Sequence, residues 1–112
     1  MNTNYKEWTR EEFIAFMMVF AASSDDIDRK EKALLKNELG KGLFKDMKKF
    51  VDDTAEFRSK AIIEDLRDVF CKTQEERDAL YAELEKVVMA DGEVNFYEKQ
   101  MLKHVHSLID PS

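Results

Sequence analysis

Apolar positions recur along this chain at helical spacing, and almost nowhere do they alternate in the manner of a strand. Thr9-Arg10-Glu11-Glu12 has the form of a capping box, in which the threonine hydroxyl and a glutamate carboxylate satisfy exposed backbone N–H groups, so a first helix is predicted from there. Its apolar residues Phe13, Ile14, Phe16, Met17, Val19 and Phe20 cover more than one stripe, which predicts a helix buried at the centre. A second box, Asp28-Arg29-Lys30-Glu31, precedes Ala33, Leu34, Leu35 and Leu39, and the helix it opens is expected to end at Gly40 or Gly42. Leu43, Phe44, Met47, Phe50 and Val51 then form one face of a third helix, with Lys41, Lys45, Lys48 and Lys49 on the other side. Phe57, Ala61, Ile62, Leu66, Val69 and Phe70 predict a fourth helix ending near Cys71. Thr73-Gln74-Glu75-Glu76 caps a fifth, with Leu80, Tyr81, Leu84, Val87 and Val88 as its face. Asn95-Phe96-Tyr97-Glu98 caps a sixth, with Met101, Leu102, Val105, Leu108 and Ile109. Residues 1 to 8 carry Tyr5 and Trp8 but no period, and loose packing is expected there. The expected fold is all-α, a bundle of about six helices in a single domain spanning residues 1 to 112.

Composition agrees with a folded domain: 44% of the 112 residues are apolar, with eight Phe and six Met to fill a core. The formal charge of −6 makes the average surface repel phosphate backbones and anionic membranes, so nucleic acid is not an expected partner. The one cysteine, Cys71, excludes an internal disulfide and suits a reducing compartment. No apolar run approaches the ~20 residues of a bilayer span, and the N-terminus lacks the basic start and apolar run of a signal peptide. A cytoplasmic location is the expectation.

The chemistry gathers in two acidic turns. Ala90-Asp91-Gly92-Glu93-Val94-Asn95-Phe96-Tyr97-Glu98 joins the fifth and sixth helices, and Ser23-Ser24-Asp25-Asp26-Ile27-Asp28-Arg29-Lys30-Glu31 joins the first and second. Val94 and Glu98 follow Ile27 and Glu31 by the same 67 residues, so the copies are in register and predict a helix-turn-helix unit used twice. Gly92, Val94 and Glu98 match the second half of a helix-loop-helix calcium loop. The first half is missing, since Val87 and Met89, or Phe20 and Ala22 in the other copy, stand where side-chain oxygens are required, so neither turn is a standard calcium-binding hand.

The order Ala90, Asp91, Gly92, Val94, Glu98 resembles the signature of the tellurite-resistance protein B-like (TerB-like) family, and with the weaker copy the resemblance covers most of residues 10 to 109. It implies an all-α fold with internal pseudo-symmetry and a divalent-cation site where the acidic turns meet. Carried over, the second turn supplies Asp91 and Glu98. The first matches at Ile27 and Glu31 but has Ser24 at the aspartate position and Asp25 at the glycine position; Asp25, Asp26 and Asp28 keep carboxylates nearby. The expected metal ligands are thus Asp91, Glu98, Asp25, Asp28 and Glu31, and the expected ion is Ca²⁺ or Mg²⁺, hard cations that take oxygen ligands.

Bland readings stand beside these. Glu31 and Glu98 each sit where a capping box places a glutamate. Asp91 falls at the C-terminal end of a helix, where the helix dipole disfavours a carboxylate, and function or a side-chain turn would account for it. His104 and His106 are about 200° apart around a helix axis, so they do not share one ion. The lysine stripe reads as a solvated face, and Met17, Met18, Met89 and Met101 as core filling. No nucleophile elbow or phosphate-cradling glycine loop is present, so no enzyme is expected. The leading expectation is a non-enzymatic, cation-binding module with a stress-linked or scaffolding role and a protein partner. The alternative is a metal-free interaction module whose acidic surface docks a basic partner.

Overall fold

The structure, a computed structural model, describes residues 4–22, 29–89 and 96–110. A short 3-10 helix, Tyr5–Glu7, leads into six α-helices: α1 Arg10–Ala22, α2 Arg29–Leu39, α3 Lys41–Asp53, α4 Glu56–Phe70, α5 Gln74–Val88 and α6 Phe96–Ile109. Among the described residues there is no strand, so the all-α bundle predicted from the apolar spacing is the fold. No helix among them is long and apolar enough to cross a membrane.

The cap chemistry sets several of these boundaries. At α1 the Glu12 amide donates to Thr9 Oγ1 at 3.3 Å and the Thr9 amide to Glu12 Oε1 at 3.1 Å. At α5 the same reciprocal pair joins Thr73 and Glu76, at 3.2 and 3.1 Å. Between α2 and α3 the chain turns through Gly40, whose φ of 84° and ψ of 151° place it in a region open almost only to glycine. Gly42, the other expected terminus of α2, lies inside α3.

α1 is the central element, in contact with each of the other five helices. Phe13 and every residue from Ala15 to Ala22 are buried, which is why its apolar residues follow no single stripe. Phe44, Met47 and Val51 of α3, and Leu80, Leu84 and Val87 of α5, turn the predicted faces onto it. α4 departs from the expected face. Its buried side chains are Ser59, Ile62, Ile63 and Leu66, while Phe57 is 74% exposed and Val69 53%. The core takes both Ile62 and Ile63, so the buried face is centred between them and on Ser59 and Leu66, which turns Phe57 and Val69 outward.

The N-terminal segment is anchored despite lacking a period. The Trp8 indole is 4% exposed and packs on Phe16 and Phe50, with ring centroids 5.4 and 5.2 Å away. Tyr5 Oη donates to Asp65 Oδ2 at 2.6 Å, tying the same segment to α4.

Helix directions fix what shares an end of the molecule. The Phe13 ring stacks on Phe70 at 5.4 Å, and Arg77 Nη1 donates to the Cys71 carbonyl at 3.2 Å, so α1 and α5 both start where α4 stops. Farther along, Met18 of α1 and Glu83 of α5 line the same surface depression, together with Leu39 from the end of α2. α1 and α5 therefore run side by side in one direction, with α2 returning along α1. α6 returns along α5, because His106 stacks on Tyr81 at 3.8 Å. The ends of α1 and α5 and the starts of α2 and α6 consequently gather at one pole. α2 and α6 begin 67 residues apart, the offset of the two acidic turns, and the buried pairs Phe13 and Leu80, Met17 and Leu84, and Phe20 and Val87 keep it. The pairings are reciprocal as well: α1 contacts α6 and α5 contacts α2.

Candidate functional site

At this pole the sequence reading places its ligands. The first turns of α2 and α6 carry backbone N–H groups with no intrahelical acceptor and a partial positive charge, which favours carboxylates there. Glu31 occupies the third position of α2 and Glu98 the third position of α6. Asp25, Asp28 and Asp91 lie outside the described residues, as do Asp26 and Glu93.

Glu31 is the one buried charged side chain among the described residues, at 3% exposure. Burying a carboxylate is costly unless hydrogen bonds, an opposite charge or a metal replace the lost water. An ordinary capping glutamate lies at the surface, as the half-buried Glu12 and Glu76 do, so Glu31 departs from the pattern that its sequence position alone suggests. The signal for that burial was in the spacing. Glu31 precedes the fully buried Leu35 by four residues and shares its helix face.

Among the described residues no three His, Cys, Asp or Glu side chains come together as a metal-holding group. The two histidines serve separate surroundings, His106 stacked on Tyr81 and exposed, His104 half-buried on another side of α6.

Cys71 is buried at the end of α4, 5% exposed. Burial pushes its thiol up from 9.0 to about 11, Glu76 adds to the rise, and Arg10 and Arg77 oppose it. Burial also raises the Tyr81 hydroxyl, with Asp110 contributing. A thiol held protonated and shielded is a poor nucleophile. The linkage has a definite sign: above pH 9 the unfolded chain loses the Cys71 proton before the folded protein does. Stability is thus full below pH 9 and falls as pH rises toward 11, by about 1 kcal/mol from this group after allowance for solvent screening. Melting temperatures measured from pH 8 to pH 11 should show that fall, and Cys71→Ser should make it shallower; identical slopes for both proteins would contradict the assignment.

No family model, curated protein or solved structure matches this chain.

Proposed function

We propose that this chain is a TerB-like helical module that binds one divalent cation, Ca²⁺ or Mg²⁺, between its two acidic turns, and that it works in the cytoplasm as a stress-linked or scaffolding component without catalytic turnover. Asp91 and Glu98 would come from one turn, and Asp25, Asp28 and Glu31 from the other. The observation that carries this reading is the burial of Glu31 at the pole where the parallel helices α1 and α5 end. Two helix N-termini and a carboxylate withdrawn from water favour an arrangement in which several acidic side chains are held near a common point. Their mutual repulsion is relieved by a hard cation with oxygen ligands. Absence of catalysis follows from the lack of a nucleophile and base in any recognisable order, and the shielded thiol of Cys71 agrees with it.

Binding to the folded state alone stabilises it by mass action: a cation at ten times its dissociation constant adds about 1.4 kcal/mol. With a site of millimolar affinity, 10 mM CaCl₂ should raise the melting temperature by roughly 5 °C. Asp91→Asn should abolish the rise, while Asp68→Asn, an exposed carboxylate on α4, should leave it intact. An unchanged melting curve with both Ca²⁺ and Mg²⁺ would remove the cation from the account and leave the metal-free docking module in its place.

A further inference from the structure

α2 and α3 enclose a basic groove of about 490 Å³ that runs along the outer side of the pair, from Lys32 in the first turn of α2 to Lys41 at the start of α3. Lys32 and Lys36 line it from α2, and Lys41, Lys45, Lys48 and Lys49 from α3. The α3 lysines fall on one continuous helix face, and the i, i+4 pair on α2 faces them across the groove. The sequence shows the α3 stripe alone, which reads as a solvated face; the fold adds the second wall. Among the described residues, six of the chain's 18 basic side chains thus line one groove with Asp52 and Asp53 beside them, in a protein whose net charge is −6.

This clustering works against the fold locally. Like charges at i, i+4 repel, and Lys41 and Lys45 stand near the N-terminus of α3, where the helix dipole disfavours a cation. α3 has no acidic residue in its first turn and no side-chain cap at Gly40. Lys48 pairs with Asp52 at 2.8 Å. Between the charges the walls are lysine methylene stems, with the buried Phe44 ring at the base, so the groove offers apolar contact beneath a charged rim.

We infer that this groove is a docking site for an acidic polypeptide segment of a partner protein. Its size is that of a site for a few residues. Charge complementarity selects glutamate- or aspartate-rich chain, and the apolar stems receive its side-chain carbons. A narrow peptide meets the lysines without bringing a large anionic body against the acidic remainder of the molecule, whereas a nucleic acid or an anionic bilayer meets both. Asp52 and Asp53 close one end and set the direction, favouring a basic residue of the partner there.

The test uses a fluorescein-labelled deca-glutamate peptide on the full chain, followed by anisotropy and by amide shifts in ¹⁵N-labelled protein. Micromolar to low-millimolar binding is expected, with shifts confined to α2 and α3. Lys36→Gln/Lys45→Gln should weaken it at least tenfold. Lys72→Gln/Lys103→Gln, which removes the same charge from exposed positions outside the groove, should change it less than twofold. Three results would overturn the assignment: no peptide binding, equal losses in the two double variants, or tighter binding of a twelve-nucleotide oligothymidylate or of phosphatidylserine vesicles than of the peptide. None of the substituted lysines is a proposed ligand of the cation, so loss of peptide binding and loss of cation binding are read separately.

Discussion

Phe16→Ala should lower stability by about 3–5 kcal/mol, the range for truncating a large aromatic side chain in a core that cannot collapse around the gap. Phe16 is fully buried, and its ring lies against three others, Trp8 at 5.4 Å, Phe20 at 6.0 Å and Phe50 at 6.1 Å. These partners come from the N-terminal segment, from α1 itself and from α3, so no single shift fills the space the ring leaves. A loss of this size removes a large part of the ~5–15 kcal/mol available to a small domain and lowers the melting temperature by roughly 12–20 °C. Chemical denaturation with urea gives the free energy directly. A loss below 1 kcal/mol would mean that α1 is not the packed centre of the bundle.

Trp8→Ala is expected to cost nearly as much, about 3 kcal/mol, although nothing in the spacing of residues 1 to 8 announces it. The indole covers Phe16 and Phe50 and is itself 4% exposed, so its removal uncovers two rings and unpins Tyr5 from α4. Phe57→Ala is the matching control. Phe57 falls at helical spacing with Ala61, yet its ring is 74% exposed, and its truncation should change stability by less than about 0.5 kcal/mol. Parallel urea titrations of the two variants would decide the point; the reverse order of losses would contradict the packing described for α4 and the N-terminal segment.

Trp8 and Phe57 show where the sequence is legible and where it stops being so. A periodic stripe reports a helix because the core demands one buried side, and this placed all six helices, with Thr9 and Thr73 marking two starts through local hydrogen bonds that need no tertiary context. Rotation of a helix about its axis is weaker information. In α4 both Ile62 and Ile63 are buried, and packing against α1 and α6 centres the buried face on them and leaves Phe57 and Val69, which also fit the spacing, outside. A single aromatic residue in an aperiodic segment, such as Trp8, carries no pattern at all, because its burial depends on a gap left between α1 and α3. The 67-residue offset was readable at the turns, and the helix starts and buried pairs extend it through both units. The burial of Glu31 was masked by its good fit to a capping box, a local motif that accounts for the residue without reference to the core. The basic groove was half legible, since one wall lies on α3 and the other on α2, and no spacing in the chain tells that they face each other.

The most direct test of a shared cation site is paramagnetic broadening of amide signals by substoichiometric Mn²⁺, which like Ca²⁺ and Mg²⁺ takes carboxylate oxygens. The account predicts that the amides of Lys30 and Glu31 at the start of α2, and of Glu98 and Lys99 at the start of α6, broaden together at the same added Mn²⁺. Those of Phe13, Arg77 and Ile109, at the opposite end of the bundle, should stay sharp. Broadening at one helix start without the other, or uniform broadening along the chain, would contradict it.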